Sequence, residues 1–208
     1  MRCGPAPAAS GGAPVTDLRV IGSAEVDQAQ AWLARARGGD DDAFGELVRH
    51  FEADVQRLCR RLLGSTAEAE DAAQDCFLRA HGALGRYDPA RPFRPWLLAI
   101  AARRSIDLLR RRQREARIFE LGEREGESPS PAAATPLDHG LSAERRARLL
   151  RAVEALPDRY RAPLVLRYYA DLDFAEIAEI LAVSRNQVAT LLFRGRQRLR
   201  EAFAEERP

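Results

Sequence analysis

The sequence predicts an all-α protein of two small helical domains, joined by a flexible acidic linker, with a helix-turn-helix in the second domain. Apolar residues recur at the three- and four-residue spacing of amphipathic helices over most of the chain. Residues 118–140 break this pattern with glutamate, proline and serine, which is typical of a segment without a core of its own. Two short periodic runs joined by a tight turn lie between Asp173 and Arg200, the pattern of a helix-turn-helix.

Composition argues against several classes of function. The chain has 208 residues and a net charge of +2, so its overall charge does not indicate a nucleic-acid partner. We expect no membrane insertion, because no apolar run reaches about 18 residues. We expect a cytoplasmic protein, because the N-terminus lacks the apolar core of a signal peptide. The histidines are isolated and no serine or cysteine has a recognisable base nearby, so we do not expect an enzyme.

The three cysteines, Cys3, Cys59 and Cys76, are far apart and form no CxxC motif or Cys/His cluster. We therefore predict no metal site and no cofactor. Cys59 and Cys76 fall on apolar helix faces, where a small buried thiol is the usual role and redox sensing is the alternative.

The first domain, residues 24–117, follows a tail at 1–23 whose glycine, proline, alanine and serine content predicts disorder. A short helix at about 24–37 ends at a pair of glycines. Three aspartates then supply the N-cap and first-turn charges of a second helix, which Gly64 ends. The apolar stripe of that helix is Phe44, Leu47, Val48, Phe51, Val55, Leu58, Cys59 and Leu62.

A third helix begins at a capping box, in which the side chains of Ser65 and Glu68 would each accept a hydrogen bond from the backbone N–H of the other. Its inner face is made mostly of small residues, which let a neighbouring helix approach closely. Its outer face carries Asp71, Gln74, Asp75 and Leu78. Acidic residues beside an exposed leucine indicate a docking patch for a basic protein surface, and a solvated helix face is the alternative.

The segment from Gly85 to Pro95 contains three prolines and predicts a loop, followed by a helix from Trp96 to about Arg114. Between Arg103 and Arg117, seven arginines stand against two carboxylates and cannot all be paired locally, so a polyanion is the expected partner. The aromatic residues Tyr87, Phe93 and Trp96 would add stacking platforms for unpaired bases, although a core role for Trp96 is the alternative.

The second domain, residues 141–208, begins with a helix that Ser142 can cap. Pro157 breaks this helix, and the next one carries Pro163 inside it, which predicts a kink or a late helix start. The inward residues of the first of these helices are Leu149, Leu150, Val153 and Leu156.

The first helix of the helix-turn-helix has its apolar face at Phe174, Ile177, Ala178 and Leu181. Ser184 suits the N-cap of the second helix, and Ala182 stands where the turn usually favours glycine. The inner face of the second helix is Val188, Leu192, Gly195 and Leu199.

The outer face of this second helix carries side chains that match base edges in a DNA major groove. Asparagine and glutamine form hydrogen bonds to adenine, arginine forms them to guanine, and an apolar group contacts the thymine methyl. Arginines further along the helix would hold phosphates. An ordinary amphipathic helix pair is the alternative. The residues predicted to contact duplex DNA are Ser184, Arg185, Asn186, Gln187, Thr190, Phe193, Arg194, Gln197 and Arg198.

Three segments together resemble the two domains of an extracytoplasmic-function (ECF) bacterial sigma factor. They are AEDAAQDCFLRAHGAL, PFRPWLLAIAARRSIDLLRRR and LPDRYRAPLVLRYYADLDFAEIAEILAVSRNQVATLLFRGRQRLR. The resemblance covers about residues 25–204. It implies a protein that directs RNA polymerase core to specific promoters and assists promoter melting.

This resemblance assigns a role to each part of the chain. Residues 24–117 would be sigma region 2, which docks on the polymerase clamp and recognises and melts the −10 element. Residues 141–208 would be sigma region 4, which reads the −35 element beside the polymerase flap. The linker would thread towards the active-site and RNA-exit channels, where its carboxylates would imitate nucleic acid. The family also allows an anti-sigma factor as a partner.

The resemblance also implies the residues at each surface. Those matching the polymerase-docking helix are Asp71, Gln74, Asp75 and Leu78, with Phe77 as a support. Those matching the −10 and melting element are Tyr87, Phe93, Arg94, Trp96, Arg103, Arg110, Arg111 and Arg112. Three residues depart from the family pattern: Pro95 replaces threonine, Arg103 replaces asparagine and Leu191 replaces arginine.

Two other classes of function remain as alternatives at this point. A two-domain regulator that binds duplex DNA without polymerase would use the helix-turn-helix, but the basic and aromatic residues at 86–114 would have no purpose in it. A helical protein-interaction module leaves the arginine cluster unexplained.

Overall fold

The structure, a computed structural model, describes residues 23–119 and 143–205, and these two stretches consist of helices and turns. The all-α prediction is confirmed. The predicted tail and most of the predicted linker lie outside the described residues. The helices are α1 (Ser23–Arg37), α2 (Asp41–Leu63), α3 (Thr66–Ala83), α4 (Phe93–Phe119), α5 (Ala143–Glu154), α6 (Asp158–Tyr168), α7 (Phe174–Leu181) and α8 (Arg185–Glu205), with one 3-10 turn at Leu84–Arg86.

Helices α1 to α4 form the N-terminal region, built around the apolar stripe of α2. The predicted caps are confirmed at both ends of α2: the Asp40 side chain accepts a hydrogen bond from the backbone N–H of Ala43, and Gly64 takes a left-handed φ of 74°. Ser65 caps α3 by accepting from the backbone N–H of Glu68 at 3.5 Å. Fully buried small residues on α3 let it lie close to α2 and α4, namely Ala69, Ala72, Cys76 and Ala80.

The loop before α4 is shorter than the sequence predicts. Helix α4 begins at Phe93 rather than at Trp96, so Pro95 lies in its first turn. Proline is tolerated there because the first backbone N–H groups of a helix have no partner within the helix. The helix ends at Phe119, within the segment assigned to the linker.

Helices α5 to α8 form the C-terminal region. Helix α6 begins at Asp158, so Pro163 lies inside it, which excludes the late start that the sequence offered as the alternative to a kink. The helix-turn-helix is formed by α7 and α8, and Ala182 between them takes the left-handed conformation, with φ 50° and ψ 49°. Ser184 caps α8 as predicted, and the Gln187 side chain returns a bond to the Ser184 backbone N–H at 2.8 Å.

The inner face of α8 is buried against α6 and α7, as predicted. Val188 and Leu192 are core residues, and Gly195 marks a close approach of α6. A Cβ at Gly195 would lie 2.9 Å from Leu164 Cδ1 and 3.4 Å from the Tyr160 carbonyl oxygen. A side chain at position 195 would therefore displace the Leu164 side chain, so glycine favours the close packing of α8 on α6.

The two regions pack against each other, α2 on α6 and α4 on α7. This contact changes the predicted inner face of α7. Phe174, expected to be buried, is exposed, whereas Ile180, which the pattern left out, belongs to the core. The reason is that α7 contacts α4 as well as α6 and α8.

We predict that Gly195→Ala lowers the free energy of unfolding by about 1 kcal/mol. Overpacking against Leu164 should cost about 2 kcal/mol, the middle of the usual range, which exceeds the roughly 1 kcal/mol that alanine gains over glycine within a helix. Urea unfolding followed by circular dichroism measures the change. Gly82→Ala is the control: no atom lies within 4 Å of its added Cβ, so it should be stabilising. Equal stability of the two variants would contradict the close approach.

Candidate nucleic-acid and protein-docking surfaces

The outer face of α8 is exposed from Arg185 to Arg198. All nine side chains predicted to contact duplex DNA are solvent-exposed: Ser184, Arg185, Asn186, Gln187, Thr190, Phe193, Arg194, Gln197 and Arg198. Two of them also cap the helix: the side chains of Ser184 and Gln187 each accept a hydrogen bond from the backbone N–H of the other. The face thus offers amide, guanidinium and aromatic groups on a rigid helix, the chemistry of base-edge contacts in a major groove.

The outer face of α3 has a different character. Asp71 and Gln74 are exposed, and Leu78 beside them is 74% exposed, an unusual place for a large apolar side chain. Asp75 is engaged within the fold: its Oδ2 atom lies 2.6 Å from Arg104 Nε and 3.0 Å from Arg79 Nε. Asp75 therefore ties α3 to α4, a role that the sequence did not indicate.

The aromatic residues at the start of α4 form one cluster. Tyr87 is 3% exposed, and its ring lies 5.5 Å from that of Phe93 and 4.9 Å from that of Trp96. Its hydroxyl donates to the Arg91 carbonyl, and burial raises its pKa. Tyr87 accordingly does not offer the open stacking face that the sequence suggested. Phe93 and Trp96 are only partly buried, so each packs on the core and keeps some exposed ring surface.

The arginines of α4 are paired more completely than the sequence indicated, because their partners come from other helices as well as from α4. Most of these pairs are solvent-exposed, and exposed pairs contribute only about 0–1 kcal/mol each. A phosphate can therefore replace the carboxylate at little cost. The pairs are Arg103–Glu179 (2.8 Å), Arg104–Asp75 (2.6 Å), Arg110–Asp107 (3.8 Å), Arg111–Glu115 (2.7 Å) and Arg112–Glu68 (3.4 Å).

A buried ionic cluster joins the two regions, which we name the Asp54 cluster: Asp54, Arg57, Arg94 and Tyr169. Asp54 is 3% exposed, and its carboxylate accepts from Arg57 Nη2 at 2.5 Å and from Arg94 Nε at 2.7 Å. Burial raises the pKa of Asp54, but the two guanidinium groups outweigh burial and hold its pKa below the usual value. Asp54 is therefore an ionised carboxylate inside the protein.

Sequence reasoning missed this cluster, although one signal was present. Asp54 lies three residues after Phe51, at an inward position of the apolar stripe of α2. A carboxylate at such a position requires cationic partners. One of them, Arg94, is a residue that the sequence assigned to DNA, and here it is bound to Asp54.

The two described cysteines are free and fully buried, which confirms the prediction for Cys59 and Cys76. Burial raises the pKa of Cys59 to about 11 and raises that of Cys76 as well. A suppressed thiolate argues against redox sensing at either position. Within the described residues, no group of histidine, cysteine and carboxylate side chains could hold a metal ion, and no helix there is long and apolar enough to cross a membrane.

Comparison with known proteins gives two family matches, in chain order. Residues 47–115 match Sigma-70 region 2, and residues 146–199 match Sigma-70 region 4. The ECF RNA polymerase sigma factor SigW of Bacillus subtilis is 33% identical over 178 residues, covering 83% of this chain and 95% of that protein. The RNA polymerase sigma factor CarQ of Myxococcus xanthus is 34% identical over 173 residues, covering 83% of this chain and 96% of that protein.

Two solved structures share the fold at lower identity. CnrH, solved in complex with the cytosolic domain of CnrY, is 23% identical with a TM-score of 0.55, covering 87% of this chain and all of that one. The sigma factor RpoE of Bartonella quintana, solved with the anti-sigma factor NepR, is 19% identical with a TM-score of 0.57, covering 79% of this chain and 98% of that one.

Proposed function

Because the chain belongs to the extracytoplasmic-function family of RNA polymerase sigma factors, we propose that it positions polymerase core on a promoter through separate surfaces on its two regions. It is a promoter-specific transcription initiation factor that acts by binding and not by catalysis, with polymerase core and promoter DNA as partners. This membership sets aside the duplex-only regulator and the interaction module. The observation that carries our assignment of surfaces is the exposed outer face of α8, with its amide, guanidinium and aromatic side chains.

We assign −35 recognition to that face. Asn186 and Arg194 would reach base edges, and Phe193 would contact a thymine methyl. Ser184 and Gln187 would fix the start of the helix rather than read a base, since their polar groups already cap it. The exposed arginines Arg185 and Arg198, with Arg196 and Arg200 on the same helix, would hold phosphates.

We assign −10 recognition and melting to the start of α4 and its basic surface. Phe93 and Trp96 would hold unpaired bases, with Tyr87 buried beneath them as a support. Stacking contributes about 1–3 kcal/mol per base, which offsets an unstacking cost of a few kcal/mol. Arg94 would keep its bond to the buried Asp54 and exchange only the Tyr169 carbonyl for a phosphate. Phosphates would replace the carboxylate or carbonyl partners of the other arginines, which are Arg103, Arg110, Arg111 and Arg112.

We assign docking on the polymerase clamp to the outer face of α3. Asp71, Gln74 and Leu78 would contact polymerase, and Asp75 would hold α3 on α4 through Arg104. The C-terminal region would rest on the polymerase flap. With both regions held by polymerase, each DNA contact raises the effective concentration of the other, so neither needs high affinity alone.

We also propose an anti-sigma factor as a partner, because the similar proteins CnrH and RpoE were solved with CnrY and with the anti-sigma factor NepR. The place of action would be the cytoplasm, where polymerase and promoters are found.

Transcription from a promoter library tests the function directly. Core polymerase with this chain should initiate from a defined subset of genomic fragments, and sequencing of the 5′ ends should give a shared −35 motif. If Arg194 contacts a base, Arg194→Ala should weaken binding to the −35 element by about 1–3 kcal/mol and so lower the rate of initiation roughly 5- to 150-fold. Arg151→Ala removes an exposed arginine from α5 and serves as the control. No initiation from any fragment would overturn the proposal.

The docking surface has its own test, in which Asp71→Arg should weaken binding to core polymerase roughly tenfold or more because charge reversal places like charges together. Glu52→Arg is the matched control, since it reverses an exposed carboxylate on α2. A pull-down titration with core polymerase measures both. We choose Asp71 over Asp75 because Asp75 is paired with Arg104 and its loss would disturb the fold. Equal binding by the two variants would reject the assignment.

A further inference from the structure

The segment between the 3-10 turn and α4 contains a β-turn at residues 88–91. The Arg91 backbone N–H donates to the Asp88 carbonyl at 3.0 Å, and the Ala90 N–H donates to the Asp88 side chain at 3.0 Å. Pro89 occupies the second position, where proline sets the backbone dihedral that such a turn requires. The turn is therefore closed by its own local bonds, although its side chains are exposed.

Tyr87 fastens this turn to the body of the N-terminal region. Its side chain is buried, its ring packs against those of Phe93 and Trp96, and its backbone N–H donates to the Leu84 carbonyl at 3.2 Å. Its hydroxyl donates to the carbonyl of Arg91, the last residue of the turn. One side chain thus contacts both the turn and the two aromatic rings to which we assign unpaired bases.

The other end of the segment is anchored independently. Arg94, in the first turn of α4, donates from Nε to the buried carboxylate of Asp54 at 2.7 Å. Pro92 restricts the backbone just before the helix begins at Phe93. Residues 88–93 are therefore held at both ends, which leaves the turn little freedom to move relative to the aromatic rings.

We propose that Tyr87 is a positioning residue for −10 recognition: its hydroxyl holds the turn at residues 88–91 beside Phe93 and Trp96, so that an unpaired base meets a preformed surface. This inference rests on the −10 surface proposed above and deepens it. A turn that is ordered before DNA binds loses little conformational entropy on binding, and a surface fixed in position discriminates against bases that do not fit it. The hydroxyl thus contributes to selectivity among bases, beyond the support that the ring supplies.

Two tyrosine variants isolate the hydroxyl. Tyr87→Phe removes it and keeps the ring with its contacts to Phe93 and Trp96. Tyr168→Phe is the matched control, because it removes a hydroxyl from a tyrosine that is 43% exposed and lies 3.5 Å from Arg196 in the C-terminal region.

Two aspartate variants test the turn from its other side. Asp88→Ala and Asp88→Asn remove the same charge, but only asparagine keeps a side-chain oxygen that can accept from the Ala90 N–H. A difference between these two variants therefore reports the bond within the turn and not the charge.

Amide hydrogen exchange of the full chain without polymerase, followed by NMR, tests how the turn is held. The Ala90 and Arg91 amides should exchange more slowly in the wild type than in an unstructured peptide. Tyr87→Phe should speed exchange of the Arg91 amide about fivefold, the effect of losing one hydrogen bond, and leave the amides of α2 unchanged. Asp88→Ala should also speed exchange in the turn, whereas Asp88→Asn and Tyr168→Phe should match the wild type.

Selection of promoters by polymerase core with this chain tests the consequence for recognition. From a library randomised over both elements, the wild type should enrich one base at a −10 position. Tyr87→Phe should lower that enrichment about fivefold and leave enrichment at −35 unchanged. Asp88→Ala should do the same, and Asp88→Asn and Tyr168→Phe should match the wild type. A general loss of stability would instead lower the yield of initiation and leave both enrichments unchanged.

Unchanged −10 enrichment in Tyr87→Phe, or unchanged exchange of its Arg91 amide, would overturn the inference. Circular dichroism checks that helix content is kept; if Tyr87→Phe loses helix, the two variants of the exposed Asp88 decide in its place. Absence of initiation by the wild type would reject the proposed function and with it the role in −10 recognition. The exchange rates use no polymerase, so they would still show whether the hydroxyl holds the turn.

Discussion

The ionised carboxylate of Asp54 sets the strongest constraint on this structure. It lies inside the apolar stripe of α2 at 3% exposure, and an unpaired buried charge costs several kcal/mol. Arg57 supplies one partner from the same helix, and Arg94 supplies the other from the first turn of α4. Arg94 thus holds the first turn of α4, with its aromatic residues Phe93 and Trp96, against α2. Tyr169 then packs on the same cluster and brings the C-terminal region with it.

The pairing of Asp54 with Arg57 and Arg94 also makes the contact between the two regions sensitive to acid. The pKa of Asp54 is held below its usual value by Arg94 and Arg57 in spite of burial. A carboxyl group with a lowered pKa in the folded state stabilises that state above the pKa of the unfolded chain, about 3.9. This contribution is lost as pH falls through the lower pKa of the folded state. The cluster therefore persists throughout the neutral range.

Local patterns in the sequence predicted most of the helices and their ends. The caps at Asp40, Ser65 and Ser184 depend on residues within a few positions, so they could be read directly. The start of α4 was misplaced because proline was taken as a breaker, although the first turn of a helix tolerates it. The exposed face of α8 followed from helical periodicity alone.

Contacts between distant segments could not be predicted in the same way. Glu179, the partner of Arg103, lies in the other region of the chain, and no periodicity connects the two residues. No local pattern in the sequence distinguishes Tyr169 from other residues at the end of a helix, and only the fold brings it against Asp54. The pairing of Asp75 with Arg104 is of the same kind. These contacts decide which predicted site residues are free, so the sequence identified the surfaces but not their accessibility.

Differential scanning calorimetry of the full chain tests most directly whether the Asp54 cluster joins the two regions into one cooperative unit. A single transition is expected in the wild type, with calorimetric and van't Hoff enthalpies equal within error. Asp54→Asn removes the buried charge and should split this single thermal transition into two. Two resolved transitions in the wild type, at temperatures that Asp54→Asn leaves unchanged, would contradict the account.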